Sequence, residues 1–504
     1  MLAAIAVTLR HFPKCSISRG HFSKMNNWLS KVPQKYWAIL SLLLWGALCF
    51  LLLNKTAYGI DEGAAHALLL AWSVADNVVS SIVTLGLPDF RAVILAPVGY
   101  LWTGNILAAK IATILVMAGA AWAFHAWKKR SGDSEGALLA TGLLLISPLV
   151  LDQIDTISAG PYLLLTFALG AWADQMYREK PQAFGGKYFA QLFLCMASVT
   201  LHPIGLAYPL ALLWSWYRDP INRKQQGYFI GGIALTVTLT LLLTMGWRNV
   251  EWFANPVMGL SSILFGSTEG GDTGAMRWIS GIGTLFILLL VIFKQAKNLW
   301  ADLLGRSCLA ALVIGILTGD EVLGMIVLAT CLYWGLPLIL QRPTDVQGGF
   351  WQQRGVAMLL IFVIATAFMN IDKARYQNVL EGNLVPRDNL IKALVENIEG
   401  PQSNQTASKS SSEKPIKIAS EWPARTMLAC RCNTLPLPPS AKDDQALFAM
   451  LRGINYLIFD PRNPHNSSLS HNLALMGAGK VETIVLQQGG VIVEIKNSPT
   501  EQKK

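Results

Sequence analysis

The chain has 504 residues, of which 53% are hydrophobic and 14% are charged, and its formal net charge is +10. An ordinary soluble chain carries about 25% charged residues, so this composition excludes a water-soluble globular protein of this size. The positive charge would suit a nucleic-acid-binding protein, but the long hydrophobic runs indicate a membrane protein instead, and no nucleic-acid partner is expected.

Hydrophobic runs divide the chain into a tail, a membrane domain and a C-terminal domain. A membrane-crossing helix needs about 20 mostly apolar residues, and eleven runs reach or approach that length. The candidate spans are Tyr36–Leu53, Asn105–Trp127, Gly136–Leu151, Pro161–Trp172, Tyr188–Leu201, Pro203–Trp216, Tyr228–Met245, Trp278–Phe293, Leu303–Leu317, Val322–Leu340 and Val356–Met369. Residues 1–35 are then an N-terminal tail, residues 36–370 a helical membrane domain and residues 371–504 a separate domain.

The basic residues predict which way the chain faces, because short cytoplasmic loops carry an excess of Lys and Arg. With the N-terminus in the cytoplasm, the cytoplasmic side holds 20 basic residues, counting Arg306 at the cytoplasmic end of the span Leu303–Leu317, and the opposite short loops hold four. An odd number of spans sends the C-terminal domain to the other face. We therefore expect a multi-pass protein of the plasma membrane, in bacteria the inner membrane, with a cytoplasmic N-terminal tail and an extracytoplasmic, periplasmic C-terminal domain.

The first outer loop, residues 54–104, contains two adjacent carboxylates, Asp61 and Glu62, directly after the first span. Residues Ala64–Val83 that follow have the mixed polarity of helices lying on a membrane surface. A half-desolvated carboxylate can act as a general base, because burial raises its pKa toward neutral pH. An Asp at the start of a helix can equally serve as an N-cap, so both interpretations of Asp61 are open.

The C-terminal part has the pattern of a small α/β domain. A flexible, low-complexity linker is predicted at residues 400–414, after an amphipathic helix at Asp388–Glu399. Strands, a terminal hairpin and intervening helices are predicted at Ile416–Ala419, Tyr456–Phe459, Val481–Leu486, Gly490–Ile495, Asp443–Leu451 and Ser468–Leu475. Cys430 and Cys432 lack further ligands at zinc spacing and are either free thiols or a local disulfide.

The order of several segments resembles a known family. These segments are the Asp61-Glu62 pair, Pro97-Val98-Gly99-Tyr100, Ala108-Ala109-Lys110-Ile111, Leu145-Ile146-Ser147-Pro148, Ser198–Pro203 and Gly453–Asp460. Together they resemble the GT-C membrane glycosyltransferases, particularly the protein O-mannosyltransferase and aminoarabinose-transferase branch, in which an acidic pair opens the first outer loop. The implied fold is a polytopic α-helical membrane protein of about 11 transmembrane helices with a small extracytoplasmic α/β domain.

The resemblance implies that a sugar moves from a polyprenyl-phosphate donor lipid to a hydroxyl of a glycan, lipid or protein acceptor at the outer membrane face. Such a displacement needs a base for the hydroxyl and cations for the leaving phosphate. Asp61 matches the base and Glu62 its partner or a substrate orienter. No third acid completes an Asp-x-Asp motif, so a metal is not supported and no cofactor is expected.

Three basic residues are candidates for binding the donor phosphate. Arg91 stands on a face that is nearly free of cations, and Lys110 lies near the outer end of the second span. For each, the alternative is a side chain that reaches out to the membrane interface. His202 stands where relatives often have Lys, and its alternative role is to cap the turn before Pro203.

Further residues are candidates for substrate binding. They are Tyr100, Asp152, Asp155, Arg248 and Arg277. Asp152 and Asp155 could instead lie in a solvated loop after the third span. The glycine-rich loop that contains Arg248 and Arg277 is either a lid over the donor lipid or a plain flexible connection.

Other functions fit parts of the pattern. A polysaccharide polymerase or ligase also has many spans, but usually lacks an α/β tail. A transporter should have ionisable groups and broken helices near mid-membrane, whereas the predicted spans are almost free of charge apart from Lys110 and, near the end of one span, Arg306. A non-catalytic membrane assembly protein is the remaining alternative.

Overall fold

The computed structural model describes residues 34–85, 89–130, 134–179, 185–218, 223–243, 288–318 without 290, 322–335, scattered positions from 365 to 384, and then 386–403, 416–439, 441, 443–463, 466–476, 480–485 and 490–496. These residues are mostly helical, with a small sheet near the C-terminus. The chain divides into two compact units. The helical unit comprises Met1–Leu53 and Ala71–Leu380, and the α/β unit comprises Asn54–Leu70 and Glu381–Lys504.

The described helices of the first unit follow the hydrophobic runs of the sequence. In chain order they are α1 (Gln34–Leu52), α2 (Glu62–Leu85, which starts in the α/β unit), α3 (Phe90–Leu101), α4 (Ile106–Arg130), α5 (Ser134–Leu145), α6 (Pro148–Asp155), α7 (Ala159–Glu179), α8 (Gly186–Leu201), α9 (Ala207–Arg218), α10 (Arg223–Leu243), α11 (Leu303–Thr318) and α12 (Val322–Thr330). Helix α4 packs against α5 and α7, and α7 packs against α8. Large apolar side chains such as Phe124, Phe167 and Trp216 are fully buried within this unit.

Proline interrupts one predicted span and separates two others. The predicted span Gly136–Leu151 is not one straight helix, because α5 ends at Leu145 and α6 begins at Pro148, with a bend of 51° between them. Proline lacks an N–H and disfavours helical geometry in the residue before it. The same chemistry at Pro203 separates α8 from a 3-10 turn, Pro203–Leu206, that leads into α9.

The number of membrane crossings remains a prediction. Among the described helices, α4 alone is long and apolar enough to cross a membrane, and α5 with α6 reaches that length as a bent pair. Several other described helices are apolar but shorter than 18 residues. The predicted spans Trp278–Phe293 and Val356–Met369 lie largely outside the described residues.

The α/β unit contains a five-stranded sheet within its described residues. Its elements are α13 (Pro386–Ser403), β1 (Lys417–Ser420), α14 (Pro423–Cys430), β2 (Asn433–Pro436), α15 (Asp444–Met450), β3 (Tyr456–Phe459), α16 (Ser467–Leu475), β4 (Val481–Val485) and β5 (Val491–Ile495). The strand order is β2-β1-β3-β5-β4. Strand β1 pairs in parallel with β2 and β3, whereas β5 pairs antiparallel with β3 and β4.

Two apolar cores cover the two faces of this sheet, because successive strand residues point to opposite sides. One face places β-strand residues against α13; its core is Ile418, Ile458, Ile492, Leu390, Ile391 and Leu394. The other face carries the core formed with α15 and α16, which includes Ala419, Leu457, Val493, Leu447 and Leu473. Tyr58, from the segment after α1, packs against the first of these cores.

The predicted fold class is confirmed in its coarser form, a mostly helical chain with a small C-terminal α/β domain. The amphipathic helix, the central strand and the terminal hairpin of that domain lie where the sequence predicts them. The sequence patterns missed α14 and β2, which are short. Helix α13 continues to Ser403, so the first residues of the predicted linker 400–414 are helical and the rest lie outside the described residues.

Candidate functional site

Asp61 caps the N-terminus of α2. Its Oδ1 accepts a hydrogen bond from the backbone N–H of Gly63 at 2.6 Å, and its carbonyl accepts the first helical bond from Ala65. The carboxylate is half-buried. The side chain is therefore held in one orientation by the helix that it starts, and the capping role and a role as a base can belong to the same residue.

Glu62 binds the N-terminus of a second helix, α14. Its Oε1 accepts the N–H of Ala424 at 2.7 Å and its Oε2 accepts the N–H of Arg425 at 3.1 Å. A carboxylate is favourable there because the first N–H groups of a helix lack partners within it. Burial raises the pKa of Glu62 above its ordinary value, although the two backbone N–H groups and the Arg425 cation act in the opposite direction.

A buried ion pair lies beside this capped helix. Arg425 and Asp388 form a charge-assisted hydrogen bond, and their side chains are only 5% and 2% exposed. The other oxygen of Asp388, Oδ2, accepts the N–H of Gly59 at 3.0 Å. Burial lowers the pKa of Arg425, and the charge of Asp388 opposes that change. Asp61 also contributes to the electrostatic environment of both Arg425 and Glu62.

Sequence reasoning did not identify Gly59, Asp388 and Arg425 as parts of this arrangement. Gly59 has a φ of +86°, a conformation that favours glycine. The glycine in Tyr58-Gly59-Ile60 indicates a turn, and this is the local feature from which the role of Gly59 could have been predicted. Asp388 stands at the start of a predicted helix, where a capping role is the ordinary expectation. Arg425 lies in a short segment without a periodic pattern, and nothing local connects it with a residue more than 360 positions earlier.

A second charged cluster lies in the helical unit and begins with Arg91. Asp89 caps α3 by accepting the backbone N–H of Arg91 at 2.8 Å, and the same carboxylate pairs with the Arg91 guanidinium at 2.6 Å. The guanidinium also donates to the carbonyl of Ile157 at 3.2 Å. Arg91 is 5% exposed, so the alternative of an interfacial side chain reaching toward head groups is wrong.

Lys110 is fully buried and pairs with Asp155, with 2.7 Å between Nζ and Oδ1. The pair therefore contradicts two alternatives: a lysine that extends to the membrane interface, and an aspartate in a solvated loop. Asp155 ends α6 and is 7% exposed. The hydrophobic run Gly136–Leu151 predicts a single span and not a separate helix that continues to Asp155.

The turn after α6 brings Arg91 and Lys110 to one place. Lys110 binds Asp155, and Arg91 binds the carbonyl of Ile157 two residues later. Ile157 has a φ of +55°, which is costly for a branched residue. One helical turn beyond Lys110, Thr113 bonds to the hydroxyl of the buried Tyr162 at 2.9 Å. With Asp89 and Asp155, the two cations form two ion pairs beside this turn.

Three of the remaining predicted site residues lie within the described part of the chain. His202 caps the 3-10 turn, since its Nδ1 accepts the N–H of Ile204 at 3.2 Å. Tyr100, near the end of α3, is 70% exposed. Asp152 is half-buried on α6, one turn before Asp155. Arg248 and Arg277 lie outside the described residues, as does the glycine-rich loop that contains them.

The cysteines and potential metal ligands add no further centre among the described residues. Cys430 and Cys432 pair with each other at the end of α14. Cys49, Cys195 and Cys308 are buried in the helical unit. Within the part of the chain that the structure describes, no group of three or more His, Cys, Asp or Glu side chains is arranged to hold a metal ion.

Comparisons with known proteins identify the fold. No protein-family profile and no curated protein sequence matches the chain. Among solved structures, the chain is similar to apo ArnT from Cupriavidus metallidurans, with a TM-score of 0.52 and 12% identity over 91% of this chain and 98% of that one. It is also similar to the same protein bound to undecaprenyl phosphate, with a TM-score of 0.51 and 13% identity over 92% and 98% of the two chains.

ArnT, an aminoarabinose transferase, is a GT-C membrane glycosyltransferase. The resemblance to GT-C proteins that the sequence predicts is therefore confirmed at the level of the fold. At 12% and 13% identity, the similarity concerns the fold alone. An archaeal oligosaccharyltransferase from Archaeoglobus fulgidus also matches, with 10% identity over 83% of this chain and 67% of that chain, but its TM-score of 0.47 is too low to add to this conclusion.

Proposed function

We propose that this chain is a membrane glycosyltransferase that moves a sugar from a polyprenyl-phosphate donor to a hydroxyl group of a glycan, lipid or protein. The observation that carries the proposal is the fold, which matches ArnT over 91% of this chain and nearly all of that one. ArnT binds undecaprenyl phosphate, a polyprenyl phosphate. The reaction would take place at the outer face of the plasma membrane, and we propose no cofactor for it.

Asp61 is our candidate for the general base. Both oxygens of Glu62 already accept backbone N–H groups, so Glu62 is better suited to hold the segment than to take a proton. Asp61 is half-buried, and its cap bond to Gly63 fixes the direction of the carboxylate. A fixed carboxylate near an acceptor hydroxyl can remove its proton as the bond to the sugar forms.

Arg91 is our candidate for stabilising the leaving phosphate. Its guanidinium distributes its donors between a carboxylate and the neutral carbonyl of Ile157. A phosphate oxygen is a stronger acceptor than a peptide carbonyl, so a donor lipid could replace that contact. Lys110 is a second candidate for the donor phosphate. It is fully buried against Asp155, two residues before the carbonyl of Ile157 that Arg91 binds. A role for His202 in binding the donor phosphate remains part of the proposal, as do roles in substrate binding for Tyr100, Asp152, Asp155, Arg248 and Arg277.

The proposal is tested with Asp61→Asn in membranes that contain labelled polyprenyl-phosphate sugars. Asn caps helices about as well as Asp, so this variant keeps the fold and removes the proton acceptor. We expect sugar transfer to fall by about 100-fold or more. The matched control is Asp443→Asn, because Asp443 caps α15 in the same way, by accepting the N–H of Ala446 at 2.7 Å. Unchanged transfer by Asp61→Asn would overturn the assignment of the base.

A further inference from the structure

We infer that Asp388 and Arg425 are positioning residues for Asp61. This inference rests on the proposed function, since it assigns the two residues a role in holding the proposed base. They hold the chain on both sides of Asp61, so the base is oriented by the α/β unit as well as by the helix that it caps.

Two hydrogen bonds hold the chain, one before Asp61 in the sequence and one after it. Before Asp61, the N–H of Gly59 donates to Oδ2 of Asp388 at 3.0 Å. After it, Oε2 of Glu62 accepts the backbone N–H of Arg425 at 3.1 Å. The two anchors are themselves bonded, because the Arg425 guanidinium donates to Oδ1 of Asp388. The contacts therefore close a ring that contains the segment from Gly59 to Glu62.

Burial and charge both oppose movement of this ring of contacts. Asp388 and Arg425 are 2% and 5% exposed, and a buried ion pair that loses one partner leaves an uncompensated charge. Each oxygen of Asp388 has a partner within the ring. Tyr58, next to Gly59, packs against the sheet core beside α13. Small displacements of the segment are therefore costly, as the positioning of a reacting group requires.

A purely structural role would not require an ion pair at positions 388 and 425. A buried ion pair can be replaced by apolar residues of similar volume with little loss of stability. Leucine and methionine at these two positions could fill the same space, but neither can accept the N–H of Gly59. The double variant Asp388→Leu/Arg425→Met thus separates the stability of the unit from the position of Asp61.

The experiment compares wild type, the double variant and a matched control in purified full-length protein. The control is Lys392→Gln/Glu396→Gln, which removes an exposed ion pair from the same helix, α13. For the double variant we expect a melting temperature close to that of wild type, a fall in kcat of about 100-fold and a KM for the donor within about twofold. Hydrogen exchange of the amides in residues 58–63 should accelerate in the double variant and not in the control.

Two outcomes would overturn the inference. One is a double variant whose kcat equals that of wild type, and the other is unchanged exchange protection of residues 58–63. If wild type itself transfers no sugar, the proposed function fails, while the exchange measurement still decides whether the ring holds the segment. Should the double variant not fold, Asp388→Glu keeps the negative charge that balances Arg425 and displaces the acceptor oxygens by one methylene, so we expect it to lower kcat roughly tenfold; an unchanged kcat there would equally overturn the inference.

Discussion

Lys110 is a buried cation whose charge is balanced by the carboxylate of Asp155 at 2.7 Å. Removing one member of a buried pair leaves the other charge without compensation and costs about 3–5 kcal/mol. Replacing both members with apolar residues is often neutral, because the desolvation of two charges is avoided. The pair therefore offers a way to separate a structural role of Lys110 from a role in binding the donor phosphate.

We expect Lys110→Met to lower the free energy of unfolding by about 3–5 kcal/mol, and Lys110→Met/Asp155→Leu to restore most of it. Equilibrium unfolding of the purified protein measures both, with Asp152→Asn on the same helix as the control. A double variant as unstable as the single variant would contradict this expectation. A stable double variant that transfers sugar at the wild-type rate would exclude a role of Lys110 in binding the donor phosphate.

At the scale of single elements, the junction after α8 depends on the small size of Gly205. A Cβ built on Gly205 would lie 1.7 Å from the carbonyl oxygen of Ser198. The same turn is closed by a hydrogen bond from the N–H of Gly205 to the carbonyl of His202 at 2.8 Å. The capping contact of His202 and the close approach to α8 therefore define one tight connection.

We expect Gly205→Ala to destabilise the protein by about 1–3 kcal/mol or more, because the clash involves backbone that cannot rotate away. The control is Gly119→Ala in α4, where the nearest atom would be 3.7 Å from the new Cβ. That change should be neutral or stabilising by up to about 1 kcal/mol, since alanine favours helix more than glycine does. Thermal unfolding of both variants provides the measurement, and equal melting temperatures would contradict the packing argument.

Elements with a regular pattern could be predicted from the sequence, whereas contacts between distant segments could not. The strand Tyr456–Phe459 is predicted with its observed bounds because it is a short apolar run between turns. Helix α14 and strand β2 span only eight and four residues, too few to show a period. Asp61 could be selected from its place in the order of segments. Arg425 could not, since its partnership with Asp388 depends on tertiary packing.

At the scale of the whole molecule, the basic residues predict the orientation of the chain in the membrane. The cytoplasmic side holds 20 Lys and Arg residues, counting Arg306 at the cytoplasmic end of a predicted span, against four in the opposite short loops. We expect alkaline phosphatase fused after Lys504 to be active, and the same enzyme fused after Arg130 to be inactive, because phosphatase works only outside the cytoplasm. Green fluorescent protein at the same two positions should give the reverse result. Equal phosphatase activity at both positions would contradict the predicted topology.

The joining of Asn54–Leu70 with Glu381–Lys504 in one unit has a consequence for biosynthesis. Glu62 leaves the ribosome 362 residues before its partner Ala424. At about 5–20 residues per second, the segment with the proposed base waits roughly 20–70 s for the residues that hold it. A nascent chain would therefore complete its helical unit in an inactive form, and the proposed transferase would gain its ordered base only once the final quarter of the chain has been translated.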